Sequence, residues 1–253
     1  MRDFTLSKYK ELLLTLKNQS YTFLPYREFI LNQASPCIVL RHDVDLRPQN
    51  SLQFARIQHE NSIRGTYYFR AVPQSWDEDI ILEIASLGHE IGYHYECLTT
   101  TNGNPKAAIV DFERNLEKLR KLAPVDTICM HGSPMSKYDS KDLWNFNDYR
   151  DFDIIGEPYF DVDFDRVFYI TDTGRRWDGD KVSVRDKVMT SIDLSFKRTQ
   201  EIIEAAESGS LPDQIMFTFH PQRWDDQLPV WVKELVFQKI KNIIKKTIFV
   251  KKA

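Results

Sequence analysis

Apolar residues recur along this chain at two different periods. Leu6, Tyr9, Leu13 and Leu16 fall at helical spacing and predict a helix from Leu6 to Lys17, with Ser7 placed to cap its start. The same period predicts helices over Ser51–Asn61, Asp77–Leu87, Pro105–Leu122, Ser195–Ala206 and Val230–Lys245, and Gly88 supplies a C-terminal breaker for the second of these. Short β-branched or alternating runs lie between them: Cys37–Arg41, Gly65–Arg70, Glu90–Glu96, Thr127–His131, Asp153–Gly156, Val167–Thr171 and Ile215–His220. Strands that alternate with helices predict parallel βα units joined by crossovers. No internal repeat or low-complexity linker divides the chain. The expectation is therefore an α/β protein with one domain over residues 1–253, in which residues 1–35 form a helical extension packed on the rest.

Length and charge narrow the picture. The chain has 253 residues, 42% of them hydrophobic, which suffices for one sizeable core such as a (β/α) barrel. Lys plus Arg number 34 against 37 Asp plus Glu, so no global field recruits nucleic acid, and no nucleic-acid partner is expected. A small molecule held in a pocket is the expected partner. Cys37, Cys97 and Cys129 are odd in number with no CxxC pair, and read as buried small hydrophobes rather than a disulfide framework or thiolate site. No signal peptide or membrane span is visible, so the expected compartment is the cytoplasm. The oligomeric state is not legible. Lys241, Lys245, Lys246, Lys251 and Lys252 make a basic end, read as a solvated helix face and tail.

Candidate chemistry gathers at strand ends. His42, His94, His131 and His220 fall at or just beyond the C-terminal ends of predicted strands, the edge where βα loops converge in parallel folds. Asp43 and Asp45 share that edge. Residues two apart in a strand face one side, so both carboxylates can reach one pocket, where their repulsion calls for a cation, a shared proton or solvent. A divalent ion bound by one, with the other as a nearby base, answers this; a solvated acidic turn is the bland alternative. Gly92, His94 and Glu96 share a strand face, and Gly92 leaves room for a metal or substrate close to the imidazole. An Asp with two neutral imidazoles is a donor set typical of catalytic zinc. His220 suits a further ligand or an acid for a leaving group. His59 and His89 read as structural. The loop Asp172–Gly179 mixes charge, glycine and an aromatic, as a sugar-binding loop or a surface turn would. Arg175, Arg176 and Trp177, with Trp224, are its candidate substrate contacts.

From about Ile38 to Trp224 the chain resembles the polysaccharide deacetylase superfamily (NodB-homology, carbohydrate esterase family 4). His42-Asp43-Val44-Asp45 resembles the first motif, with one residue inserted between base and metal-ligand Asp. Gly65-Thr-Tyr-Tyr-Phe resembles the next strand, Gly88-His-Glu-Ile-Gly-Tyr-His94 the metal-histidine motif, and Phe217-Thr-Phe-His220 the late strand with its general acid. The resemblance implies a distorted (β/α) barrel, one divalent metal ion (zinc, or cobalt or nickel), and hydrolysis of an acyl group on a sugar or glycan. It implies Asp43 as base, His220 as acid, and Asp45 and His94 as ligands. Leu98 stands where the family places its second metal histidine, and Met130-His-Gly-Ser-Pro134 stands in place of an Arg-Pro-Pro-type motif. His131 is read as the replacement ligand, with Glu96 as the lesser substitute. Two rival readings remain: a metal-deficient glycan- or partner-binding module, and a phosphohydrolase using the His42-Asp43 pair.

Overall fold

The structure is a computed structural model that describes residues 2–32, 34–133, 135–178, 183 and 185–248, with side chains to 243. Pro134, Gly179, Lys251 and Lys252 of the motifs above lie outside the described residues, as do the side chains of Lys245 and Lys246. The strands are β1 Thr22–Leu24, β2 Cys37–Val44, β3 Thr66–Phe69, β4 Glu90–Tyr95, β5 Ile128–Met130, β6 Phe168–Thr171 and β7 Gln214–Phe219. Among the described residues they form one parallel sheet ordered β5-β4-β3-β2-β7-β6, with β1 beside the start of β2. The helices are α1 Leu6–Asn18, α2 Tyr26–Asn32, α3 Pro48–Glu60, α4 Glu78–Ser86, α5 Cys97–Thr100, α6 Pro105–Arg120, α7 Pro158–Asp161, α8 Thr199–Glu207 and α9 Leu228–Ile248.

Every residue of β2 is buried, because both faces of this central strand are covered. Ile38, Leu40 and Val44 point into the larger core, which the helices cover. Cys37 and Val39 point the other way, into a smaller cluster with Tyr68, Cys129, Val167 and Met216. That cluster joins β5 at one edge of the sheet to residues beside β6 at the other. The sheet must therefore curl, and the fold is a distorted (β/α) barrel with the small cluster as its interior. Among the described residues no ladder pairs β5 with β6.

Helix starts follow local chemistry. Thr5, rather than Ser7, caps α1 by accepting from the Lys8 N–H, and Tyr9, Leu12, Leu13 and Leu16 form its buried face. Pro48 opens α3 three residues before the predicted start, a position that tolerates a missing N–H. Residues 1–35 do more than append a helix, since β1 joins the sheet through β2. That strand has three residues, too few for its period to show. The expected strand Asp153–Gly156 is absent. Asp153 takes a left-handed conformation after a 3₁₀ turn, and only Gly156 bridges, to Thr127. The expected helix start at Ser195 moves to Thr199.

His42 faces the helices, away from the barrel interior. Its Nδ1–H donates to the Thr66 carbonyl, and its Nε2 faces the Tyr9 hydroxyl and the Gln58 amide. Burial pushes the imidazole down to about 3, and His89 similarly down to about 4. Both rings stay neutral in the folded chain while the unfolded chain takes up protons near pH 6.5. The stability they contribute is complete above that pH and is lost as pH falls toward 4 and 3. Denaturant unfolding at pH 7 and pH 5 should show a loss of up to about 1.4 kcal/mol per pH unit for each ring, and a His42→Gln variant should show a shallower pH slope.

Gly92 is filled by protein rather than open to a ligand. An added Cβ would lie 2.3 Å from Cε1 of Tyr68 and 3.1 Å from the Thr127 carbonyl oxygen. Tyr68 is fully buried in the barrel interior and has nowhere to move. Gly92→Ala should therefore cost about 1–3 kcal/mol or more of stability, read as a shift in the denaturant midpoint.

Candidate metal centre

Four side chains meet at the C-terminal edge of the sheet. His94 projects inward from β4. Asp45, His131 and His220 stand one residue beyond β2, β5 and β7. Asp45 Oδ1 lies 3.4 Å from His131 Nε2 and 3.6 Å from His94 Nε2, and Asp45 Oδ2 lies 3.8 Å from His220 Nε2. Ligand atoms of Asp45, His94 and His131 all fall within 4.8 Å of one another.

Each imidazole is oriented by its other nitrogen. His94 Nδ1 is 2.9 Å from the Cys129 carbonyl oxygen, His131 Nδ1 2.9 Å from Glu96 Oε2, and His220 Nδ1 2.6 Å from Asp172 Oδ1. Those partners can only accept, so each Nδ1 carries the proton and each Nε2 keeps a lone pair for the site. Asp45 Oδ1 is buried without a hydrogen-bond partner, while Oδ2 accepts from Gln222 at 3.2 Å. An orphaned carboxylate oxygen facing imidazole lone pairs fits a divalent cation, and the N₂O set of Asp45, His94 and His131 suits zinc. Burial would raise the Asp45 carboxyl, but positive charge on His131, His94 and His220, when those rings are protonated, outweighs it and holds it well below the usual range. Glu96, which burial would also raise, is held at about 2 by His131 and Arg70. Its carboxylate is already committed to His131, Ser133 and Arg70, so it supports a candidate ligand rather than replacing one. Leu98 is buried in the main core on α5.

Asp43 lines the same cavity, 3.6 Å from His94 Nε2, and both its oxygens accept from the Arg41 guanidinium at 2.8 and 2.7 Å. Burial pushes this carboxyl up, but Arg41, with His94 and His220, wins and keeps it below its ordinary value. Since Asp43 points inward and His42 outward, the two do not form the adjacent His-Asp pair that a phosphohydrolase would need. Asp172 is fully buried and accepts from the His220 ring and backbone, from Arg223 at 2.8 Å and from the Trp224 indole at 2.7 Å. Asp186 is a further carboxylate on the cavity wall, half-buried and taking hydroxyls from Tyr159, Tyr169, Thr171 and Thr173. The cavity measures about 430 Å³.

The four expected substrate contacts are elsewhere. Trp224 is fully buried among Phe4, Tyr9, Phe54 and Phe219. Trp177 stacks on Phe4 and donates to Thr199. Arg175 lies over the Trp231 ring and donates to the Trp231 carbonyl, and Arg176 pairs with Asp178. None of them lines the cavity. An aromatic in a polar loop reads as a sugar platform in sequence, but here the indoles fill space under α1. Arg41 was missed although period 2 puts it on the same strand face as Asp43. The Asp172–His220 contact, spanning 48 residues, left no local signal.

No sequence-family model matches this chain, and no curated protein does. Solved structures do resemble it. A family 4 carbohydrate esterase from Bacillus anthracis matches at 10% identity with a TM-score of 0.41, over 91% of this chain and 84% of that one. A peptidoglycan deacetylase from Bacillus subtilis matches at 11% identity and a TM-score of 0.38, over 83% of each chain. A carbohydrate esterase family 4 pseudoenzyme, in a mutant form with restored activity, matches at 10% identity and a TM-score of 0.42, over 82% of this chain and 62% of that one. What those proteins do is their own property; the chemistry of this chain is read from its own side chains.

Removing the central carboxylate should remove the capacity to bind such an ion. Asp45→Asn is expected to abolish Zn²⁺ or Co²⁺ binding in equilibrium dialysis. Glu96→Gln, which keeps the shape but weakens the hold on His131, should lower affinity roughly 10–100-fold. Unchanged binding by Asp45→Asn would place any ion elsewhere.

Proposed function

We propose that this chain is a metal-dependent amide hydrolase that removes an N-acyl group from a sugar or glycan precursor, with Asp45, His94 and His131 as the ligands of one divalent ion. The observation that carries the reading is the convergence of three imidazoles, each oriented through Nδ1 with Nε2 toward the site, around a half-buried carboxylate whose Oδ1 is buried and unpartnered. When bound, a zinc-class ion would polarise an acyl carbonyl and acidify water beside it.

The chain's own residues provide the remaining requirements. Asp43 is ionised and fixed by Arg41, and each of its oxygens retains a second lone pair to accept a proton as water attacks. Its low proton affinity suits a donor that has itself been acidified. At the other end of the reaction, a sugar amine leaves poorly unless protonated. As an imidazolium His220 would point an Nε2–H toward the departing amine, while Asp172 accepts from Nδ1–H and offsets the added charge. Asp172 is kept in place by Arg223 and Trp224, so the acid sits on a rigid mount. Leu46, Met130, Met135 and Tyr159 give the cavity apolar wall, with Thr173 and Arg185 among its polar groups. Its volume lies in the range that encloses a sugar-sized ligand.

The test is release of acetate or another acid from N-acylated nucleotide sugars and oligosaccharides by protein loaded with zinc, cobalt or nickel. Asp43→Asn should keep the ion and lose most turnover. His220→Ala should keep the ion and lower kcat by roughly 10²–10⁴-fold. Loss of the ion in His220→Ala would make His220 a ligand. No release across the panel by metal-loaded protein would favour a glycan- or partner-binding module, the reading to which the apolar Leu98 points.

A further inference from the structure

Helix α9 turns its polar side toward the protein. Glu234 and Gln238 are buried, and Gln238 and Lys241 form part of the cavity wall. The outward side carries Leu228, Val232, Val236, Phe237 and Ile240, each 42–56% exposed. A surface helix of a water-soluble protein ordinarily does the reverse, burying its apolar stripe against the core. Lys233 and Lys239 are interleaved with the outward stripe and exposed, and no exposed acidic residue accompanies them among the described positions of α9. The sequence continues with Lys245 and Lys246 in a chain whose net charge is −3, so positive charge is concentrated locally on this element.

We infer that the outer face of α9 docks on an anionic lipid bilayer, lying in the plane of its surface. An apolar stripe flanked by lysines meets the two demands of that interface: apolar side chains enter the acyl boundary, and lysine stems carry their ammonium groups back to the headgroups. A second copy of the chain suits the face less well. In a two-fold interface the same patch meets itself, so Lys233 and Lys239 of both copies would be gathered into one contact without a carboxylate on the face to offset them. Spanning is excluded for the described helices, none of which is long and apolar enough to cross a membrane. Because Gln238 and Lys241 are on the inner side of the same helix, docking sets the cavity one helix width (~10 Å) from the bilayer surface. This docking is independent of the reaction proposed above.

Flotation of the full chain with phosphatidylcholine vesicles, with and without phosphatidylglycerol, tests it. The chain should float with the anionic vesicles, less so at high salt. Lys233→Gln and Lys239→Gln should each lower partitioning roughly fivefold. Val236→Glu combined with Phe237→Glu should abolish it, with the milder Val232→Gln giving a partial loss. These side chains are half exposed, so far-UV circular dichroism should be unchanged. Failure of the full chain to float with phosphatidylglycerol vesicles would overturn the inference. So would a dimer in sedimentation equilibrium that Phe237→Glu dissolves, which would assign the face to a second copy.

Discussion

Carboxylates buried at the end of an apolar barrel are the constraint on which the rest of this structure depends. An isolated ionised carboxylate costs several kcal/mol to take out of water, so each must be matched on the spot. Asp43 is matched by Arg41, Glu96 by Arg70 and His131, Asp172 by Arg223, Trp224 and His220, and Asp186 by four hydroxyls. Asp45 differs from them. Its direct hydrogen bond comes from the uncharged Gln222, and what faces it otherwise is imidazole nitrogen at 3.4–3.8 Å. A divalent cation held there would complete that balance.

This matching also divides the labour of the site. The pairs that are complete hold geometry: Arg41 aligns Asp43, Glu96 aligns His131, and Asp172 aligns His220. The incomplete one offers coordination. Leu98, four residues after His94, is buried in the main core, and the adjacent strand β5 brings His131 beside His94 from a different place in the sequence.

Much of this was legible in the sequence because strand period and strand ends are local properties. Alternation put Asp43 inward and His94 on the inner face, and the position just past a strand end located Asp45, His131 and His220. The same alternation, followed to its end, also turns His42 outward and draws Arg41 in. What was not legible depends on contacts distant in sequence. Asp172 meets His220 across 48 residues, and Tyr68 takes the space above Gly92 from the neighbouring strand. The polarity of α9 belongs here too: which of its faces is inner depends on a polar cavity that no local period reveals.

The loop after β6 shows how such distant contacts are combined. Asp172 orients the His220 ring. Two residues on, the Gly174 carbonyl accepts from Asn242 of α9, and Arg175, in a left-handed conformation that turns the chain, donates to the carbonyl of Trp231. Trp177 then enters the core against Phe4, just before α1. A helix whose inner face serves a polar cavity lacks the apolar contacts that usually bind a helix to its protein, and hydrogen bonds from this loop stand in for them. Residues that resemble a sugar-binding surface in sequence therefore connect the imidazole at the site to the helix at its rim. Displacement of α9 would be felt at Gly174 and Arg175, two and three residues from the carboxylate that orients His220.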